Sequence, residues 1–201
     1  MKFIFLGDVH ANISLCKQLA VKNPDKTIVQ LGDLGIGFHK GNLPTFKNYL
    51  DLPDNFKFFP GNHDDRNACH KLPHCLGDYG EYLDKFFFVS GADSIDKPYR
   101  IENISWWRNE ELSLKQQEDC LIKWTNSRID TLVAHDIPQS FAEAYELIYD
   151  ISATRNLLEV MIDIRKPKLL ISGHHHSSKS LIHDDIEWHS LDIDETYSID
   201  L

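Results

Sequence analysis

The sequence predicts an α/β fold in one domain, and two facing mixed β-sheets covered by helices would satisfy its pattern. Two observations lead there. In the first third, short apolar runs alternate with an amphipathic stretch, the β, α, β order of a sheet covered by helices. Later in the chain, strand-like runs follow one another without helices, which requires antiparallel or mixed pairing. The 201 residues, 42% hydrophobic and 11% aromatic, supply enough core for one domain over residues 1–201 without disulfides.

The elements follow from local pattern. Lys2–Leu6 is an apolar run and reads as a buried first strand. From Asn12 to about Val21, Ile13, Cys16, Leu19 and Ala20 recur at helical spacing and share one face. Thr27–Leu31 and Phe56–Pro60 are the next strands, and Phe86–Val89 with Tyr99–Glu102 reads as a strand pair. Ser113-Leu114-Lys115-Gln116 is a capping box opening a helix to about Arg128, with Leu114, Leu121 and Trp124 inward. Thr131–Ala134 is a strand. Ser140 and Ser152 stand as N-caps of two further helices, the second running to about Arg165 and stopped by Pro167. Lys168–Ser172 is a strand, and Ser180–His183 with Glu187–Leu191 forms a hairpin turning at Asp184-Asp185. The acidic stretch from Asp184 to Asp200 reads as that hairpin followed by a solvated tail.

Composition narrows the function classes. Lys and Arg number 21 and Asp and Glu 31, a formal charge of −10. That excess disfavours nucleic acid and anionic membranes as partners, because polyanions are bound by clustered Lys and Arg. No run of about 18 apolar residues exists to span a bilayer. The apolar N-terminus is too short for a signal-peptide core, so a cytoplasmic location is expected. Cys16, Cys69, Cys75 and Cys120 are scattered without a CxxC pair and are expected as reduced thiols. Cys69, His70, His74 and Cys75 lack zinc-clip spacing and read as a helical edge after Asp64.

The eleven histidines carry more information than the charge. Five strand ends finish alike, with an apolar run, a Gly or Ala, and then metal-type ligands: Leu6-Gly7-Asp8-Val9-His10, Leu31-Gly32-Asp33, Pro60-Gly61-Asn62-His63-Asp64, Val133-Ala134-His135-Asp136 and Ser172-Gly173-His174-His175-His176. Sites in open α/β sheets form outside the carboxyl ends of the strands, so these side chains can converge. Imidazole, carboxylate and amide oxygen without thiolate suit first-row divalent ions rather than a structural zinc knot. A shared carboxylate would let two cations sit about 3.5–4 Å apart, the spacing of two-metal hydrolases. His175, between two ligands, points to the opposite face of an extended segment. His39, His183 and His189 fall in no pattern.

In this order the five blocks, GD-x-H, GD, GNH-D, a lone H and GH-x-H, resemble the calcineurin-like metallophosphoesterase family from residue 7 to residue 176. The resemblance implies a two-sheet sandwich flanked by helices and two divalent metal ions, manganese first, with iron, zinc, cobalt and nickel also suited. By motif position, Asp8, His10 and His176 would hold one metal, Asn62, His135 and His174 the other, and Asp33 would bridge them. His63 would protonate the leaving oxygen or stabilise the charge building there, with Asp64 orienting its ring. The implied reaction is attack of a metal-bridging hydroxide on a small phosphomonoester or phosphodiester, nucleotide-like in size. Gly32-Asp33-Leu34-Gly35-Ile36-Gly37 departs from the GD-x-x-D-R-G block of the phosphoprotein-phosphatase branch, so the arginine that helps that branch hold phosphate is missing.

The stretch Gly91–Arg100 followed by Ser105–Ser113 is similar to the small bacterial and phage metallophosphoesterases, many of which carry a comparable SxDK…R…SWW…E segment. Lys97, Arg100 and Arg108 are candidate phosphate binders, and Trp106, beside Trp107, a candidate stacking surface. The expected partner is a small phosphorylated substrate; oligomeric state is left open. Two other readings stand beside the phosphoesterase: a DNA or RNA nuclease of the same superfamily, and a scaffold that keeps the fold without catalysis.

Overall fold

The computed structural model describes residues 1–37, 44–147 and 152–201; His39 lies outside them. Among the described residues, ten strands and six α-helices run in the order β1 (Lys2–Leu6), α1 (Ile13–Lys22), β2 (Thr27–Gln30), α2 (Phe46–Leu50), β3 (Phe56–Phe58), α3 (Arg66–Cys69), β4 (Tyr79–Tyr82), β5 (Phe86–Val89), α4 (Leu114–Asn126), β6 (Thr131–Ala134), α5 (Gln139–Ala144), α6 (Ala153–Ile164), β7 (Leu169–Ser172), β8 (Lys179–His183), β9 (Ile186–Ser190) and β10 (Thr196–Asp200).

Two mixed sheets result, in the orders β10-β1-β2-β3 and β4-β5-β6-β7-β9-β8. Strands β1, β2 and β3 are mutually parallel, as are β5, β6, β7 and β9. The antiparallel strands β10, β4 and β8 lie at sheet edges. The period-two alternation of β1 shows how the layers form. Phe3 and Phe5 point between the sheets, against Phe86, Val133 and Ile171, and Phe86 meets both rings edge-on at 5.5 and 5.4 Å. Ile4 and Leu6 point the other way, onto Ile13, Cys16 and Ala20 of α1. On the far side of the second sheet, Phe87, Leu132 and Leu170 pack with Trp124 of α4 and Leu158 and Met161 of α6. The expected arrangement of two mixed sheets flanked by helices is therefore the one observed, layered helix, sheet, sheet, helix.

Several local readings differ. The acidic C-terminal stretch is not a solvated tail: β10 pairs antiparallel with β1 from Lys2↔Asp200 to Leu6↔Thr196. Its alternate residues Tyr197 and Ile199 pack onto the core between the sheets, a period-two signal hidden among acidic neighbours. Tyr99–Glu102 is not a strand; Lys97–Tyr99 forms a 3₁₀ turn with Pro98 near its start, where a missing N–H costs nothing. Pro138, not Ser140, occupies the N-cap position of α5, whereas Ser152 and Ser113 cap α6 and α4 as expected. Leu114 is exposed, because six residues before buried Cys120 turn it about 120° off the inward face. All four cysteines are free, and Cys69 is buried at the end of α3. No helix among the described residues is long and apolar enough to cross a membrane.

Candidate metal centre

Parallel pairing makes the central strands of both sheets end on the same side, and that is where the ligand blocks meet. Asp8 and His10 follow β1, Asp33 follows β2, Asn62 follows β3, His135 follows β6, and His174 and His176 follow β7. The turns that present them are strained. His10, Asp33, His174 and His176 have left-handed φ of 40°, 60°, 66° and 46°, uncommon for residues with a Cβ. Two glycines are required by close approach. A Cβ on Gly61 would collide with Asp33 and lie 2.8 Å from His135 Nε2, and one on Gly173 would lie 2.6 Å from Asp8 Oδ1.

Two ligand clusters form. In the first, Asp8 Oδ2 and His10 Nε2 each lie 3.0 Å from His176 Nε2. In the second, the ligand atoms of Asp33, His135 and His174 lie within 4.8 Å of one another. Asn62 Oδ1 is 2.9 Å and Asp33 Oδ1 3.3 Å from His135 Nε2. Asp33 also lies beside the third block, since its Oδ1 accepts the His63 N–H at 2.8 Å. Asp8, His10 and His176 thus lie together, and Asp33, Asn62, His135 and His174 lie together.

The second cluster fits a divalent cation on chemical grounds. His135 Nδ1 faces the carbonyl of Leu31 at 2.8 Å, an acceptor only, so Nδ1 carries the hydrogen. The Glu110 carboxylate accepts the Ser94 hydroxyl at 2.5 Å, so Ser94 Oγ accepts from Asn62 Nδ2 at 3.0 Å. Asn62 Oδ1 is thereby turned toward His135. A neutral His135 would then aim its Nε2 lone pair at two further acceptors, an arrangement that needs a positive charge among them. Titration agrees. Burial alone would lower the His135 pKa, but the charge and hydrogen bond of Asp33 push it up to about 10, so in the absence of a metal a proton takes the cation's place. Burial would raise Asp33; the neighbouring His135, His63 and His10 instead hold it far below the usual carboxylate range. Burial brings His174 down to about 3, leaving its ring neutral and able to ligate. For His176, the hydrogen bond to Asp8 outweighs burial and raises the pKa.

Asp64 departs from the role expected of it. Its carboxylate accepts four backbone N–H groups, from Leu34, Gly35, Ile36 and Gly61 at 2.7–3.1 Å, and does not bond the His63 ring. It staples the turn after Asp33 to the turn carrying Asn62 and His63, and the four donors use up its lone pairs. Burial and the Asp33 charge push its carboxyl up to about 6 against those donors.

A cavity of about 430 Å³ opens beside the clusters, lined among others by Asp33, Asn62, His63, Arg100, Arg155 and His174. Of the four candidate substrate contacts, only Arg100 lines it; its Nη2 lies 3.4 Å from His63 Nε2. Lys97 is outside the lining, ion-paired to Asp93 and to buried Glu110, whose charge needs a cation. Arg108 is an exposed partner of Glu102, and Trp106 lies 6.0 Å beneath Lys97 Nζ, both outside the lining. Trp107 is buried, against Gly37.

Five residues outside the expected site set matter here: Arg66, Glu110, Asp136, His175 and Arg155. Arg66, buried, bonds Asp78, Ser90 Oγ and the carbonyls of Asn109 and Glu110, tying the loop before α4 to the end of β5. Glu110 orients Asn62 through Ser94. Asp136 joins His175 Nε2 at 3.0 Å to Arg155 Nε at 3.2 Å. Asp136 and His175 carried a signal, as neighbours of ligands; Arg66 and Arg155 carried none beyond a charged residue on an amphipathic helix.

Comparison with known proteins agrees with this geometry. Residues 1–178 match the profile of the calcineurin-like phosphoesterases. No curated protein matches the sequence. Among solved structures, the chain is similar to GAP50, the anchor in the inner membrane complex of Plasmodium, at 20% identity and TM-score 0.51, covering 94% of this chain and 70% of that one. It is also similar to phosphopantetheinyl hydrolase from Mycobacterium tuberculosis, at 9% identity and TM-score 0.51, covering 96% and 90%. At those identities the likeness concerns the fold. The profile match over most of the chain, on a fold and ligand set that agree with it, shows that this chain belongs to the calcineurin-like phosphoesterases, metal-dependent phosphoester hydrolases.

Proposed function

We propose that this chain is a dinuclear-metal phosphoesterase acting on a small phosphomonoester or phosphodiester of nucleotide size. The observation that carries the reading is the acceptor-on-acceptor contact of Asn62 Oδ1 and Asp33 Oδ1 with His135 Nε2, which only a cation or a proton reconciles. Asp8, His10 and His176 would hold one ion, Asn62, His135 and His174 the other, with Asp33 shared between them. When bound, such a pair supplies an acidified water and positive charge for phosphoryl oxygens. Manganese or another first-row divalent ion suits the donors. The four free thiols suit a reducing compartment such as the cytoplasm.

His63 is the proton donor in this reading. Its backbone N–H on Asp33 anchors it beside the shared ligand, and its ring stands 5.9 Å from that of His10. Burial, Arg100 and His10 lower its pKa, while Asp33 and Asp96 oppose them. An arriving phosphate adds negative charge nearby and favours the protonated ring, ready for the leaving alkoxide.

Hydrolysis of p-nitrophenyl phosphate and bis-p-nitrophenyl phosphate, with manganese and with chelator, tests the reading. Turnover should require metal, and equal rates in both conditions would overturn it. His63→Ala should lower turnover far more than metal content; parallel loss of both would make His63 a ligand.

A further inference from the structure

Gln30, the last residue of β2, is completely buried on the strand face that also carries apolar Ile28. A buried amide costs free energy unless its groups are bonded, and an apolar side chain of the same size would fill this place without that cost. The hydrogen bonds of the Gln30 amide reach backbone beside two ligand blocks. Its Nε2 donates to the carbonyl of Gly7 at 3.3 Å and to that of Gly32, and its Oε1 accepts the Gly32 N–H at 3.2 Å. Gly7 directly precedes Asp8, and Gly32 directly precedes Asp33.

The amide stands where pairing between β1 and β2 breaks. The ladder ends with the Leu31 N–H on the Leu6 carbonyl at 2.9 Å. The Leu31 carbonyl, next in the parallel pattern, accepts from His135 Nδ1 instead. Contact between the two segments resumes at Asp33, whose carbonyl accepts the His10 N–H at 3.0 Å. In between, the chain passes through two successive left-handed residues, Gly32 at φ 103° and Asp33 at φ 60°. The Asp33 Cβ opposes that conformation, so the turn must be held by groups around it. Gln30 bridges the gap and holds both sides of it.

We propose that Gln30 is a positioning residue of the metal centre, keeping Asp8 and the shared ligand Asp33 in fixed relation across the gap between β1 and β2. The role deepens the dinuclear reading above and rests on it. Asn62, His135 and His174 arrive from other strands, and Ser94 and the Leu31 carbonyl orient the first two. Loss of the Gln30 amide should therefore fall on the cluster that contains Asp8 more than on the buried one.

The experiment titrates manganese into the metal-free full chain by calorimetry, and records thermal melting and the electron paramagnetic resonance of the loaded chain. Gln30→Met keeps the volume and removes the amide. Binding in the Asp8 cluster should weaken about 10–100-fold, the range for an outer partner, with the buried cluster held within about threefold. The spectrum should change from that of a spin-coupled pair toward that of isolated ions. Gln30→Asn keeps an amide one methylene short, which can bond one turn and not both. Its loss should be smaller than that of the Met variant, and it decides the matter if the Met variant does not fold. Lowered melting with both affinities and the spectrum unchanged would make Gln30 a structural staple only and overturn the proposal. Parallel weakening of both clusters would overturn it too. Uptake of one manganese or none by the unmutated chain would overturn the dinuclear reading and the spacing role with it. A Gln30-dependent manganese pair in a chain that hydrolyses neither p-nitrophenyl ester would keep the positioning role and overturn the hydrolase reading instead.

Discussion

The two ligand clusters are built from the same residue types but sit in different surroundings. His135, Asp33 and Asn62 are at most 1% exposed, whereas the side chains of His10 and His176 are 35% and 42% exposed. Within the buried cluster two side chains are fixed by further groups: His135 by the Leu31 carbonyl, and Asn62 by Ser94 and then Glu110. Around the open cluster the rings of His10 and His176 meet edge-on at 5.0 Å, with Asp8 as their carboxylate partner. The difference separates a rigid seat from an adjustable one. In the dinuclear reading, an ion in the buried cluster would be held by ligands without freedom to relax, and one in the open cluster by ligands that can exchange it.

If Asp33 is shared by both clusters as proposed, its loss should break the comparison most completely. Asp33→Asn is expected to empty both seats and lower kcat/KM more than about 100-fold, because a shared ligand exceeds the 10–100-fold typical of an outer partner. Elemental analysis beside a turnover assay reads this, and two retained metals would remove Asp33 from its shared place. Next come the paired substitutions His135→Ala and His10→Ala. The first strands buried Asp33, Asn62 and the Leu31 carbonyl and should cost about 3 kcal/mol of stability. The second should leave thermal melting of the metal-free chain nearly unchanged. Equal melting shifts would mean that the two seats are equally rigid.

Ser94→Ala sharpens the contrast without touching a ligand. Releasing Asn62 should weaken metal binding at the buried seat about 10–100-fold and leave the open seat as it was. A titration of the metal-free chain would resolve the two steps. Graded chelation is expected to withdraw one equivalent from the open seat well before the second. Release of both in a single phase would contradict the asymmetry. Arg108→Ala is the smallest effect: an exposed pair outside the cavity should leave KM, kcat and melting at their original values.

Much of the centre was legible before any coordinates. The seven candidate ligands follow apolar strand runs, and their convergence was legible in local sequence because each leaves a strand end on the same side of the sheets. The caps Ser113 and Ser152 were legible for the same reason, since a helix start is decided by neighbouring residues. Asp64 was misread because its motif position says nothing about which donors reach it. Four backbone amides, from residues as far apart as Leu34 and Gly61, decide that. Lys97 and Arg108 were misread because a cation in a suggestive segment binds whichever carboxylate lies nearest, here Glu110 and Glu102.

By itself, then, the sequence determined the α/β class from periodicity, and the candidate ligand types and their order from chemistry confined to a few consecutive residues, with the two-sheet arrangement implied by the resemblance those blocks carry. Only the tertiary structure decided which ligands are buried, that Glu110 and Ser94 aim Asn62, that β10 closes the first sheet, and that Arg155 reaches the cavity from a helix far along the chain. Those outcomes depend on distances between segments separated by tens of residues or more, and such distances are set by packing, which no local pattern records.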